Sequence, residues 1–292
     1  MEHLAYCVPL IDVTWAEFGP LNPRKNYSVG TPPLALCHEE IEKMTELMKK
    51  LVGGRFTFAA HTGTYCRDAF LKEPFLGLWR NALTAGAEVL VHTHEEIAGK
   101  GTLYGDKDHM EQVVECAYRT LSDQGVRPVG YRGGLYAYAP FMTELLESLG
   151  LFIDMSAAPG VNEPSKQATW AGAPYSAYYL CRVDKTHGEC GDERSKVLEI
   201  PLGADGFGGE QRNVLYVDGD LQDLDNLNRI WDTITGRARN SGTPQIIHFL
   251  VHTITASNPS MLERLLRFVD HIDANGGTYV TPTQAKSIYD NA

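Results

Sequence analysis

Two periods of apolar and polar positions alternate along nearly the whole chain. Residues 4–13 form a continuous apolar run of strand length, the pattern of a strand buried on both faces. Ile41, Met44, Leu47, Met48 and Leu51 then recur at helical spacing, which predicts a helix over 39–51 that Gly53-Gly54 terminates. The same switch repeats further on. Strands are predicted at 55–60, 87–92, 128–131, 151–153, 197–200, 245–251 and 278–280, and helices at 70–85, 106–124, 141–149, 221–238, 259–274 and 283–289. The stretch 162–195 breaks the rhythm: it is polar, follows neither period and reads as a long loop inserted over one face. No repeat, low-complexity tract or linker divides residues 1–292, which predicts one domain. Seven or eight βα units in succession predict a closed or nearly closed α/β barrel. A doubly wound open sheet is the competing architecture, but no G-x-G-x-x-G follows the first strand.

In such a barrel, functional side chains gather where strands end. The first predicted strand ends at Asp12 and the third runs into His92-Thr93-His94-Glu95-Glu96. The fourth ends in Tyr131-Arg132-Gly133-Gly134, the fifth at Asp154 and the seventh at His252, while Asp205 follows the sixth. A carboxylate, a His/Glu cluster, an arginine and a further histidine would thus share one rim. Imidazole with carboxylate is the ligand set of zinc or a similar divalent metal. His92 and His94 share a face if the strand is regular, whereas a helical turn would pair His92 with Glu96. His61, just past the second strand, reaches the same rim as a substrate contact or as filling. His248 is expected deeper in the barrel, hydrogen-bonded and not ligating. Tyr136, Tyr138, Trp170, Tyr175, Tyr178 and Tyr179 cluster in two loops and serve either to stack on a sugar or to pack the domain.

Charge narrows the partners. Lys and Arg total 26 against 37 Asp and Glu, a formal charge of −11, and no basic run exists to neutralise phosphates, so a nucleic-acid role is excluded. No stretch approaches the length of a membrane span. The first residues lack a basic segment followed by an apolar run, so the expectation is a cytoplasmic protein without a secretory signal, free to form a homo-oligomer. The six cysteines are scattered without a C-x-x-C pair and read as reduced thiols; Cys181 and Cys190 flank a polar loop and could close a disulfide.

In their order and separations these pieces resemble the polysaccharide deacetylase family, the NodB-homology domain of carbohydrate esterase family 4. Thr57-Phe58-Ala59-Ala60 is similar to its second-strand signature, and Gly86-Ala87-Glu88-Val89-Leu90-Val91-His92-Thr93 to its metal-site strand. Tyr131-Arg132-Gly133-Gly134-Leu135-Tyr136 resembles the arginine motif, 149–156 the following strand, Leu250-Val251-His252 the last motif and 277–281 the closing strand. The resemblance implies a distorted barrel of the NodB type and the removal of an acyl group, above all N-acetyl, from a sugar or sugar-containing small molecule. It implies one divalent metal, zinc first, with cobalt, manganese or nickel as alternatives. In that scheme Asp12 and His92 are ligands, His252 is the general acid and Arg132 orients the carboxylate base. Tyr131, Gly133, Tyr136, His61 and Asp154 fall where substrate would bind.

Two departures stand out. The family carries two adjacent aspartates in its first motif, base and ligand, where this chain has Ile11-Asp12. The base must then come from elsewhere, and Glu17, Asp205 and Glu95 are the candidates by position. The family's second metal histidine falls at Glu96, so either Glu96 replaces it or His94 supplies the bond; neutral imidazole suits zinc and favours His94. Three functions therefore compete: the deacylase, including hydrolases of other linear or cyclic amides on the same fold; an amidohydrolase barrel built on His92-Thr93-His94; and a non-catalytic relative that binds glycan.

Overall fold

A computed structural model describes residues 4–15, 32–64, 66–97, 100–207 and 213–292. Its frame is a curled sheet whose main strands are β1 (Ala5–Asp12), β2 (Thr57–His61), β3 (Glu88–Thr93), β4 (Gly130–Gly133), β5 (Ile153–Asp154), β6 (Arg194–Glu199) and β7 (Gln245–His252). They pair in the order β7-β1-β2-β3-β4-β5-β6, and every one of these pairings is parallel. Parallel strands covered on both faces need apolar residues throughout, which is why β1 is buried at every position except Tyr6. The curl brings the two ends of the order together. Beyond β6 the chain meets β7, with His248 N donating to Pro201 O at 3.0 Å and Gly203 N to His248 O at 2.8 Å. The short strand Gly277–Tyr279 adds to the start of β1.

The helices are started and stopped by local chemistry. Leu34–Val52 buries Ile41, Met44 and Met48, as predicted from their spacing, and ends at Gly53 with φ 61°. Asp106 caps Lys107–Asp123 by accepting from His109 N, and Asp223 caps Leu224–Ser241 by accepting from Asn226 N. Thr281 and Gln284 form a reciprocal capping box at the start of Pro282–Asn291. No helix among the described residues is long and apolar enough to cross a membrane.

Two expectations change. The helix predicted over 70–85 is divided into Arg67–Phe70 and Phe75–Thr84, because Pro74 lacks an N–H and cannot sit inside a helix. The 162–195 stretch is not a bare loop. It holds the hairpin of Asn162–Glu163 with Ala168–Thr169 and a buried strand, Tyr178–Cys181, antiparallel to β6. Four residues buried on both faces leave no period to read, and the fully buried Trp170 anchors the segment by donating from Nε1 to Tyr136 O at 2.7 Å.

Candidate metal centre and active site

Strand register builds the site. Asp12 on β1 is the cross-strand partner of His252 on β7. His61 on β2 pairs with His92 on β3, and His92 in turn with Arg132 on β4. Neighbours at one level of a parallel sheet point to the same face, so residues far apart in sequence meet at the carboxyl end of the barrel.

Three imidazoles form its floor. Ring nitrogens of His61, His92 and His94 all lie within 4.8 Å of one another, and all three residues are buried. The His61 and His94 rings stack at 5.0 Å, and His92 meets His94 edge-on at 4.7 Å. Each Nδ1 bonds to an acceptor in the wall: His61 to Val13 O at 3.2 Å, His92 to Arg132 O at 3.0 Å, and His94 to the Glu96 carboxylate at 3.0 and 3.1 Å. Carbonyl and carboxylate oxygens only accept, so Nδ1 carries a proton in each ring. His92 Nε2 is buried without a hydrogen-bond partner, 3.9 Å from Asp12 Oδ2. Burial pushes His92 down to about 3, and burial followed by the neighbouring imidazoles holds His61 well below the ordinary range. Three imidazoles with ring nitrogens within 4.8 Å of one another fit a divalent ion of zinc's softness.

The position of Glu96 differs from a ligand's. Its carboxylate is turned to His94 Nδ1 and accepts from Tyr104 Oη at 2.7 Å, which makes it the group that orients His94. His61, expected as a substrate contact or filling, instead joins the donor cluster.

Close packing of the cluster depends on two glycines. A Cβ on Gly134 would stand 2.5 Å from His94 Nδ1 and 2.5 Å from Thr93 O, and one on Gly63 would stand 2.6 Å from His61 Nε2. Gly134→Ala is therefore expected to displace the His94 ring and weaken divalent-metal affinity about 10- to 100-fold, as loss of an orienting contact does. A metal titration giving wild-type affinity would show that His94 is not held by this wall.

Asp12 and Arg132 form a buried ion pair. Arg132 Nε donates to Oδ1 at 3.0 Å and to Oδ2 at 2.9 Å, while Nη1 donates to Met155 O at 2.6 Å. Burial alone would raise the Asp12 carboxyl, but the guanidinium outweighs it and holds Asp12 well below the usual carboxylate range. Both Asp12 oxygens are thus engaged by Arg132.

His252 stands at the mouth of the site, partly exposed. Its Nδ1 faces both Asp218 oxygens at 3.2 Å, and Asp218 also accepts from His252 N at 3.0 Å and Thr255 Oγ1 at 3.0 Å. Burial would lower the imidazole, but the Asp218 carboxylate raises it above its ordinary value, so the charged form persists toward neutral pH. Asp218 had no signal in the sequence: no strand is predicted between 201 and 221, and Tyr216-Val217-Asp218 is tied to β7 through one isolated bridge, Tyr216 to Leu250.

The other candidates divide. Tyr136, half-buried and in the left-handed region at φ 64°, lies with its ring 5.6 Å from the Arg132 guanidinium. Tyr131 is fully buried with its hydroxyl on Thr93 Oγ1 at 2.7 Å. Asp154 is also fully buried, accepting from Ser156 Oγ at 2.7 Å, and Gly133 contributes its N–H to that serine at 2.8 Å. Glu95 is engaged by Arg67, by Thr64 Oγ1 at 2.7 Å and by His109 Nε2 at 2.6 Å. Asp205 is engaged by Arg229 Nη2 at 2.7 Å and by Phe207 N at 2.9 Å. Glu17 lies outside the described residues. His248 is buried with Nδ1 on Ile200 O at 2.7 Å, deeper in the barrel as expected.

A parallel α/β barrel with its polar cluster at the carboxyl ends of the strands defines the class. The chain has the fold of the polysaccharide deacetylases, the NodB-type barrel. It superposes on a crystal structure from Mycobacterium smegmatis assigned to the polysaccharide deacetylases with a TM-score of 0.60 and 14% identity, covering 99% of this chain and 91% of that one. An allantoinase, PuuE, gives 0.61 at 14% identity over 99% and 91%. A Pseudomonas aeruginosa PAO1 protein also assigned as a polysaccharide deacetylase gives 0.61 at 12% identity over 99% and 92%. No protein-family model matches the sequence, and no curated protein does.

Proposed function

We propose that the protein is a metal-dependent hydrolase of non-peptide C–N bonds that removes an acyl group, above all N-acetyl, from a sugar or small amide. One observation carries the reading: three wall-anchored imidazoles converge beside an arginine-held carboxylate, with an aspartate-held imidazole at the mouth. A divalent cation, zinc by donor chemistry, would supply Lewis acidity that polarises the acyl carbonyl and acidifies water. His61, His92 and His94 are its ligands in this reading, and Glu96 fixes the orientation of His94. Asp12 takes the proton of the attacking water, while Arg132 keeps that carboxylate aimed. His252 donates a proton to the departing nitrogen. An uncharged substrate fits the rim, because Asp12 already neutralises its buried guanidinium.

The test is to load the purified chain with zinc, cobalt or manganese, count bound metal and assay N-acetyl sugars and linear and cyclic amides. One ion per chain, with hydrolysis that a chelator removes and metal restores, supports the reading. A chain that binds no divalent metal sinks it; metal and sugar binding without acyl release would point to the glycan-binding relative.

The acid role has its own test. Asp218→Asn removes the charge that raises His252, so its pKa falls. A general acid works only while protonated, so the alkaline limb of the kcat/KM profile should move to lower pH. Activity at pH 8 should fall roughly tenfold. An unmoved alkaline limb would assign the proton to another group.

A further inference from the structure

The segments that follow β2 and β3 are joined along their length beside the imidazole cluster. Thr62 N donates to His92 O at 2.7 Å and Thr64 N to His94 O at 2.8 Å. Gly63 permits so close an approach, since a Cβ there would stand 2.8 Å from His94 Cβ and 2.9 Å from His94 O. The His61 and His94 rings, one from each segment, stack at 5.0 Å with 15° between their planes.

One side chain fastens this seam. Glu95 is fully buried, and its carboxylate accepts from three donors. Oε2 takes Thr64 Oγ1 at 2.7 Å and His109 Nε2 at 2.6 Å, and Oε1 takes the Arg67 guanidinium. Thr64 and Arg67 belong to the segment past His61, and His109 to the first turn of the helix Lys107–Asp123. Asp106 fixes that turn by accepting from His109 N at 3.1 Å, and Leu103 N donates to Glu95 O at 2.8 Å. Bonds from a guanidinium to a carboxylate are among the strong ones, and they are stronger still away from water. Glu95 and Glu96 therefore act on different coordinates. Glu96 sets how the His94 ring is turned, through Nδ1, whereas Glu95 ties the chain that carries His61 to the chain that carries His94.

We propose that Glu95 is a positioning residue of the metal centre: by holding Thr64 and Arg67 it sets the separation of His61 from His94, and with it the affinity and geometry of the bound divalent ion. This rests on the reading of His61, His92 and His94 as the metal ligands. Ligand atoms must keep their distance to an ion within about 0.2 Å, so a small loosening of the seam is felt at the metal. A carboxylate that only stabilised the fold would change the melting temperature and leave the metal affinity of the folded chain alone.

The full-length chain, freed of metal by a chelator, is titrated with cobalt(II), whose visible absorption reports the number and arrangement of its ligands. Glu95→Gln should bind cobalt about 10- to 100-fold more weakly, the range for losing an orienting group, and with an altered visible band. That variant leaves the Arg67 guanidinium without its charge partner, so two milder ones accompany it. Thr64, at an exposed position, loses its donor in Thr64→Val and keeps it in Thr64→Ser. The valine variant should bind cobalt about tenfold more weakly and the serine variant should match the wild type. In the metal-free chain, the imidazole nitrogen resonances of His61 and His94 should shift in Thr64→Val and return in Thr64→Ser. If Glu95→Gln does not fold, the threonine pair decides alone. Wild-type cobalt affinity and unshifted resonances in the folded variants, with only their melting temperatures lowered, would overturn the proposal. A wild-type chain that takes up no cobalt would overturn the metal reading and this proposal with it, whereas equal uptake by wild type and variants would overturn this proposal alone.

Discussion

His92→Ala should yield a folded protein that no longer holds divalent metal and has lost at least about a thousandfold in amide hydrolysis, the scale of losing the Lewis acid. His92 meets both other imidazoles edge-on and pairs in register with both His61 and Arg132. Its Nδ1 bond to Arg132 O contributes little to stability, because His92 Nε2 is itself buried without a partner and a small side chain relieves that cost. Metal analysis of the dialysed variant and a single-turnover assay check the outcome. Full metal occupancy in His92→Ala would remove the imidazole cluster from the mechanism.

Asp12→Asn separates two roles that its position allows. If Asp12 is the base, the variant keeps one metal per chain and kcat falls about 10²- to 10⁴-fold, the range for losing a general base. Asparagine still accepts from Arg132 Nε through its carbonyl, so the guanidinium keeps a partner. Asp12→Ala would instead leave a buried unpaired charge, at a cost of about 3–5 kcal/mol, and would confuse folding with catalysis. Metal lost together with activity in Asp12→Asn would return the aspartate to the ligand set. The expected retention follows from geometry: both Asp12 oxygens are engaged by Arg132 within 3.0 Å, whereas His92 Nε2 stands 3.9 Å from Oδ2.

The departure from the expected pair of aspartates thus has a structural counterpart. With one aspartate in the first motif, the carboxylate that remains is the arginine-held one. His61, at the end of β2, adds an imidazole to the cluster at the level of His92. Glu96 falls where the family resemblance implies a histidine, and its carboxylate lies on His94 Nδ1 and accepts from Tyr104 Oη.

Much of the frame was legible in the sequence because burial on two faces and amphipathic helices leave periodic patterns. The strands around Asp12, His92, Arg132 and His252 fall within a residue or two of their predicted ends, and Pro259–Ala274 matches its predicted bounds. Short elements were not legible. Tyr178–Cys181 has too few residues to display a period, and the Pro74 break sits within an otherwise continuous apolar spacing.

Composition, period and motif order by themselves determined the class of fold, the rim on which chemistry gathers and the residue types found there. What the tertiary structure alone decided is which of those side chains face one another. Register of the parallel strands sets Asp12 beside His252 and His61 beside His92, contacts between residues tens to hundreds of positions apart that no local pattern encodes. Orientation was decided there too: a carboxylate's role depends on who donates to it, and the partners of Asp12, Glu96 and Asp218 come from β4, from the turn after β3 and from β7.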